Sequence, residues 1–258
     1  MKRRVKALLG WLLFRSGAYQ RFFRDKAVVV LFHRVDDRYP GDPITCGTDA
    51  FREFCDFFQR HFTVVPLRTL IAKLRSGDDV SRHLVISFDD GYLDNRAAAN
   101  ELLLRRIPAC FFIATEFIGS NKVPAWDSRA GIRSEWMTWA DVRSLRDSGF
   151  ELGAHTKNHV DLGAVSGEEA REEIAGSGRR LSAEAGVPID LFSYPFGRRE
   201  QITEANREIV REAGYICCPS AYGGVVRKGD DPFRMCRTPI SPWHLSPYQF
   251  GFEAMFSD

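Results

Sequence analysis

Short β-branched runs alternate with longer helical stretches along most of this chain, and this alternation constrains the fold more than any other feature. The apolar run at 27–32 is typical of a buried strand, and further strands are predicted at 83–88, 109–114 and 151–154. Helices are predicted over 49–61, 95–105, 138–148, 168–185 and 204–213, with short strands near Tyr215 and Met235. Strands joined by crossover helices indicate an α/β fold with a mainly parallel sheet or barrel.

The alternation continues past residue 26 without an internal repeat, a low-complexity tract or a linker. We therefore predict one domain over 27–258, preceded by a distinct segment at 1–26. Apolar residues make up 44% and charged residues 27% of the chain, which is typical of a globular protein. A net charge of +2 gives no reason to expect a nucleic-acid partner, and the sequence carries no signal for an oligomeric state.

The segment at 1–26 is basic and contains a short apolar stretch at 5–14, which is too short to span a bilayer. Helical spacing places its large apolar residues mainly on one side, as in a helix lying on an anionic membrane surface. These residues are Leu8, Leu9, Leu12, Leu13 and Phe14. A solvated helix docked on the domain fits equally well. A secretory signal is a third interpretation, but Arg15 interrupts the apolar run early.

Six cysteines occur without a CxxC pair, as expected of ordinary buried thiols in a reducing compartment. We therefore expect a cytoplasmic protein, at the inner face of the membrane if segment 1–26 binds lipid. An exported protein is the alternative.

Three polar clusters follow predicted strands, where parallel barrels place their active sites. The first contains Asp89 and Asp90, which are followed by Gly91 and Tyr92. Two adjacent carboxylates before a glycine are also compatible with an ordinary turn. The third cluster, at 192–197, contains Tyr194, Pro195, Phe196 and Gly197, and by itself it is equally compatible with a turn.

The second cluster contains His155 and His159, four residues apart. If a helical turn begins here, both imidazoles lie on one face at a distance suited to a single cation. The spacing is weak evidence alone, but a strand-end carboxylate completes a set of two histidines and one acid. Such a set leaves positions open for water and substrate, as a catalytic zinc requires.

Taken in order, these clusters resemble the motifs of the polysaccharide deacetylases, also known as carbohydrate esterase family four or the NodB-homology family. The matching residues are Phe88-Asp89-Asp90-Gly91, then His155 and His159, then Tyr194-Pro195-Phe196-Gly197, with Phe32-His33-Arg34-Val35 similar to the start of many members. The resemblance covers about residues 27–240. It implies a distorted (β/α)7-type barrel, a bound divalent metal and hydrolysis of an N-acetyl or N-formyl group on an amino sugar.

Carried over to this sequence, the resemblance implies that Asp89 is the general base and that Asp90, His155 and His159 are metal ligands. Zn²⁺ is the expected metal, with Co²⁺, Ni²⁺ or Fe²⁺ as alternatives. The Phe196 N–H is expected to contribute to an oxyanion site. Substrate contacts are expected from Tyr92, Tyr194, Pro195, Phe196, Gly197 and His33.

Two departures from the family pattern matter. Many members have an arginine where this chain has Ser193, and we expect Arg237, or else Arg198, to replace its charge beside Asp89. The late Leu-x-His motif of the general acid has no clean match, so His244 is the first candidate for that role and His33 the second. A non-catalytic carbohydrate-binding protein of the same fold is the alternative function.

Overall fold

The computed structural model describes residues 1–257, in which a curled sheet is surrounded by helices. The strands are β1 (Lys26–Phe32), β2 (Arg34–Val35), β3 (Thr45–Cys46), β4 (Thr63–Val64), β5 (His83–Phe88), β6 (Cys110–Ile113), β7 (Glu151–Ala154), β8 (Val226–Arg227) and β9 (Thr238–Pro239). The helices are α1 (Lys2–Arg15), α2 (Tyr19–Phe22), α3 (Thr48–His61), α4 (Leu67–Ser76), α5 (Asn95–Leu104), α6 (Ala125–Ala130), α7 (Trp139–Asp147), α8 (Gly167–Ala185), α9 (Glu204–Glu212) and α10 (Pro247–Met255).

The central strands run parallel in the order β7, β6, β5, β1, and β9 continues the sheet in parallel beyond β1. Further backbone hydrogen bonds, which include a parallel bridge between Ala154 and Phe192, extend the curl beyond β7. Leu191 O accepts from Ala154 N at 2.8 Å, and Met235 O accepts from Ser220 N at 3.0 Å. The predicted α/β fold with a mainly parallel, barrel-like sheet is therefore confirmed.

Side chains of the central strands alternate between two apolar clusters, because successive residues of a strand point to opposite faces. Val28 and Val30 of β1 belong to the larger cluster, which contains the apolar faces of α3 and α10. Val29 of β1 and Val85 of β5 belong to the other, which is closed by α4. Asp89 follows Val85 by four residues, so it continues the face that packs against α4.

Most predicted strands and helices lie within two residues of their observed bounds. The short strands expected near Tyr215 and Met235 are wrong, because the strands of this region are β8 and β9. Two-residue strands contain too little alternation to be located by periodicity. The helices α4, α6 and α10 were not predicted.

The first helix is docked along α10. Gly10 lies so close to α10 that a Cβ atom there would be 2.0 Å from the Tyr248 carbonyl oxygen. Phe14 is buried, and Lys6 forms an ion pair with Glu253 at 2.8 Å. No helix among residues 1–257 combines the length and the apolar character needed to cross a membrane. The division between segments 1–26 and 27–258 stays a prediction.

Candidate metal and catalytic site

A tight turn at the end of β5 presents the two adjacent carboxylates. Asp90 has φ of +76°, and Gly91 N donates a hydrogen bond to the Asp89 carbonyl oxygen at 3.0 Å. These values describe a γ-turn with a positive central φ, a strained conformation found at functional sites. Both aspartates are buried, at 2% and 1% exposure.

The segment that carries His155 and His159 is a loop and not the helical turn that the spacing suggested. Thr156 and His159 both have positive φ, which no α-helix tolerates. Glu173 of α8 fixes this loop, because its carboxylate accepts hydrogen bonds from Lys157 N at 2.8 Å and Asn158 N at 2.9 Å. Tertiary contacts therefore bring the two imidazoles together.

The three predicted metal ligands do converge. Asp90 Oδ1 lies 3.4 Å from His155 Nε2 and 3.2 Å from His159 Nε2, and the three ligand atoms lie within 4.8 Å of one another. With zinc bonds of about 2.0–2.1 Å, two ligand atoms on a tetrahedral ion stand about 3.4 Å apart. The spacing of the carboxylate and imidazole atoms therefore fits a bound zinc.

The ionised state of the Asp90 carboxylate also suits the binding of a metal cation. Asp90 Oδ1 is buried and accepts no hydrogen bond from the described residues. Burial alone would raise the pKa of Asp90, but the electrostatic attraction of nearby histidines, first of all His159, outweighs burial and holds that pKa well below its ordinary range. Asp90 is therefore an anionic ligand at neutral pH.

Ser193 fixes the tautomer of His155. His155 Nδ1 lies 2.9 Å from the Ser193 carbonyl oxygen and 2.7 Å from its hydroxyl oxygen. A carbonyl can only accept, so Nδ1 carries the proton and the lone pair of Nε2 points toward Asp90. Orientation of a histidine by a partner on its other nitrogen is typical of metal ligands.

Asp89 forms a buried, bidentate ion pair with Arg237. The guanidinium donates to both carboxylate oxygens at 2.7 Å, and it also donates to the Ser87 hydroxyl and the Ser220 carbonyl oxygen. Asp89 Oδ2 is 3.7 Å from His155 Nε2, so the base candidate borders the ligand cluster. Arg237 therefore lies beside Asp89, as we expected. Its charge takes the place of the arginine that many family members have at the position of Ser193.

An open cavity of about 530 Å³ leads to this cluster. Asp90 and His159 lie at its floor, and His33, Trp126 and Phe196 are among its walls. Phe196 is 45% exposed and contacts the His159 ring edge to face, with centroids 4.6 Å apart. Aromatic rings around a polar floor suit a sugar, which presents apolar C–H faces between its hydroxyls.

Pro195 and Gly197 shape the turn that presents Phe196. Gly197 N donates to the Pro195 carbonyl oxygen at 2.5 Å, and Phe196 has φ of +57°. Gly197 itself has φ of +72°, and a Cβ atom there would lie 2.3 Å from Ala221 N. Neither Pro195 nor Gly197 lines the cavity.

Two tyrosines predicted to contact substrate are instead buried outside the cavity wall. Tyr92 is fully buried, stacks on Trp136 and accepts a hydrogen bond from Trp126 Nε1 at 2.9 Å. Tyr194 is 1% exposed and packs against Phe192 in an apolar cluster. The substrate contacts expected from these two rings are therefore wrong, since neither ring faces the opening.

His244 does not reach the cavity either. Its ring packs against Phe54 and Phe250, and its Nε2 lies 3.5 Å from Glu253 Oε2. The expectation that His244 is the general acid is therefore wrong on geometric grounds. His33, the second candidate, lines the cavity together with Asp90.

Sequence analysis missed several residues that build the site. Trp126 lies on the short helix α6, which carried no periodic signal, and Glu173 looks like any other acid on α8. Arg34 lies within the segment Phe32–Val35, but the sequence did not indicate its role. It is buried, donates hydrogen bonds to Asp127 and Asp42, and lies against the Tyr92 ring. This network supports the wall that contains Trp126.

Comparisons with known proteins agree with the fold and the motifs. The polysaccharide deacetylase family model matches residues 76–217, more than half of the chain. This chain therefore belongs to the polysaccharide deacetylase family. The curated relative YxkH of Bacillus subtilis (strain 168) is 21% identical over 190 residues, which cover 73% of this chain and 62% of that protein. The matched region is thus less than two thirds of the relative's length.

Solved structures show the same architecture. IcaB from Ammonifex degensii superimposes with a TM-score of 0.75 at 22% identity, covering 90% of this chain and 97% of that one. The Streptococcus pyogenes deacetylase PplD, solved in complex with acetate, gives a TM-score of 0.73 at 17% identity, covering 89% and 98%. The distorted (β/α)7-type barrel expected for this chain is confirmed by these similarities.

The hydrogen bonds of Glu173 give a first prediction. Glu173→Ala is expected to weaken zinc binding about 10- to 100-fold, because the histidine loop loses the acceptor that holds its backbone. Competition with a chromogenic chelator measures this affinity. Glu172→Ala is the matched control, since Glu172 is 56% exposed and its side chain forms ion pairs with Lys157 and Arg179 without holding the loop backbone. Equal affinities for the two variants would contradict the role of Glu173.

Proposed function

We propose that this protein is a metal-dependent hydrolase that removes an N-acetyl or N-formyl group from an amino sugar in a polysaccharide, oligosaccharide or lipid-linked glycan. The observation that carries the proposal is the cluster of Asp90, His155 and His159 directly beside the Asp89–Arg237 pair. A metal site with an adjacent, positioned carboxylate is suited to hydrolysis of an amide.

Zinc is the proposed metal, since one carboxylate and two imidazoles form a catalytic zinc set with open positions. When bound, the metal supplies Lewis acidity that lowers the pKa of a coordinated water toward neutrality. Asp89 would accept a proton from the attacking water, and Arg237 keeps the carboxylate in place. Phe196 and Trp126 orient the sugar, and the Phe196 N–H is the proposed donor to the developing oxyanion.

The leaving amine requires a proton, and we propose that His33 donates it. His33 lines the cavity beside Asp90. Burial lowers the pKa of His33, although the charges of Asp90 and Asp89 oppose that shift. The lowered pKa makes the imidazolium a stronger acid but reduces its population at neutral pH, so the proposal rests on the position of His33 in the cavity.

Metal dependence is tested with protein stripped by a chelator and then titrated with Zn²⁺. We expect about one equivalent to bind, as in other three-ligand catalytic sites. Acetate or formate release from N-acylglucosamine oligomers, peptidoglycan fragments and lipid-linked sugars should appear only in the loaded protein. Zinc binding with no acyl release from any of these substrates would favour the alternative, a non-catalytic carbohydrate-binding protein. Failure to bind any divalent metal would contradict the hydrolase proposal.

The role of His33 gives a separate prediction. His33→Gln is expected to slow amide hydrolysis by about 10²- to 10⁴-fold, because the amine leaves poorly without a proton. Hydrolysis of p-nitrophenyl acetate should change much less, since nitrophenolate leaves unprotonated. His244→Gln is the control and should retain both activities. Equal losses on the amide and the ester in His33→Gln would show that His33 is not the acid.

We also propose that the protein works in the cytoplasm. The observation behind this proposal is that all six cysteines are free thiols and five of them are buried. Fractionation of cells that express the tagged full chain tests it, and recovery in the extracellular fraction would contradict it.

A further inference from the structure

The outward face of α1 carries a stripe of exposed apolar side chains. Gly10 and Phe14 are the buried, inward residues of this helix. At about 100° per residue, the opposite side contains the outer stripe, which we define as Val5, Leu8, Leu9 and Leu12. Their exposed fractions are 51%, 58%, 42% and 48%. One helix therefore has one apolar face docked on α10 and a second one open to solvent.

Basic residues border the outer stripe. Arg4 and Arg15 lie along one side of it and Lys2 along the other at this helical spacing. Trp11 is 41% exposed and lies on the side of Arg4 and Arg15, with the Arg15 guanidinium 5.8 Å from its ring centroid. Residues 1–24 contain seven basic and no acidic side chains, although the whole chain carries a net charge of only +2. Apolar side chains flanked by cations match the surface of an anionic bilayer.

The charge around the outer stripe also favours an anionic bilayer over a second copy of this chain as its binding partner. Pairing two outer stripes would place the flanking cations of both copies close together, with no acids on α1 to compensate them. Like charges across an interface oppose association, whereas lipid phosphates attract all of them.

The first turns of α1 lie toward the catalytic end of the barrel, whereas Phe14 packs against Phe23 and Phe62 near the opposite end. Lys6 contacts Glu253, and Glu253 in turn contacts His244. His244 lies in the segment that follows β9, and β9 runs parallel to β1, so this segment leaves the barrel at the edge where His33 lies. The same segment exposes Trp243 and Leu245, at 45% and 54%.

We propose that the outer stripe of α1 docks the protein on an anionic phospholipid bilayer. The helix lies flat in the headgroup region, with its inward face on α10. In this orientation the first turns of α1, which lie toward the catalytic edge, are held at the lipid surface. The docking itself does not depend on the proposed hydrolase activity.

Sedimentation with lipid vesicles tests this inference. Full-length protein should sediment with vesicles of phosphatidylglycerol mixed with phosphatidylcholine, and much less with pure phosphatidylcholine. Leu8→Gln combined with Leu12→Gln should lower the partition coefficient at least about tenfold. Arg4→Gln combined with Arg15→Gln should lower it only for the anionic vesicles. Added salt should have the same selective effect.

The matched control is Leu103→Gln combined with Leu104→Gln, an exposed leucine pair at the end of α5. It should bind vesicles like the wild type, and thermal unfolding should be unchanged in all three double variants because the replaced side chains are exposed. Absence of wild-type sedimentation, or equal sedimentation of the stripe variant and the control, would overturn the inference. A dimer in size-exclusion chromatography that the stripe variant abolishes would overturn it in favour of a second copy.

Discussion

Asp89→Asn is expected to lower kcat on an N-acylated sugar by about 10²- to 10⁴-fold while leaving zinc bound. The amide keeps the shape of the carboxylate, but it cannot take a proton from water. Asp90, His155 and His159 are separate side chains, so the ligand set of the metal is intact. Steady-state acyl release together with metal content measured on the same sample checks the result.

The control for Asp89→Asn is structural, because Arg237 is fully buried and loses its counter-charge. Thermal unfolding and zinc stoichiometry should show a folded, loaded variant before its rate is interpreted. Turnover near the wild-type value in such a sample would show that another group is the base. Loss of zinc together with activity would show that Asp89 belongs to the ligand set.

Periodicity predicted the strands that present the site, since β1, β5 and β7 are buried runs with clear alternation or β-branched composition. The motif at the end of β5 then placed Asp89 and Asp90 correctly at one edge of the sheet. The conformation of the histidine loop could not be predicted from local sequence. It depends on Glu173, which reaches it from α8 across a sequence separation of about fifteen residues.

Side-chain direction was the weakest part of the sequence prediction. Tyr92 and Tyr194 occur within motif segments, but whether a ring faces the cavity or the core depends on strand parity and on neighbours such as Trp136 and Phe192. Phe196 is exposed at a turn in which it has a positive φ. Spacing along the chain does not contain this information.

The Asp89–Arg237 pair shows that the cation beside the Asp89 carboxylate can come from a different part of the barrel than position 193. Position 193, where many members resemble one another in having an arginine, is a serine in this chain. Ser193 orients His155 through its hydroxyl and carbonyl oxygens. Arg237 reaches Asp89 from the segment before β9, where its guanidinium also satisfies the Ser220 carbonyl oxygen. The substitution at Ser193 therefore leaves the base candidate paired.

Arg237→Met is expected to lower the free energy of unfolding by about 3–5 kcal/mol, because it leaves the Asp89 carboxylate buried without a partner. Turnover should fall with it, since nothing then holds that carboxylate. Denaturant unfolding at neutral pH measures the change, and Arg171→Met, which breaks an exposed ion pair with Glu212, should cost less than about 1 kcal/mol.

The double variant Asp89→Asn, Arg237→Met separates charge burial from packing. It removes both charges, so most of the stability lost in Arg237→Met should return, while turnover stays as low as in Asp89→Asn because the carboxylate of Asp89 is missing. If the double variant were as unstable as Arg237→Met alone, the loss would come from the cavity left by the arginine and its missing bond to Ser220. In that case the ion pair would not be what stabilises this end of the barrel, and the placement of Asp89 would have to depend on the turn at Asp90.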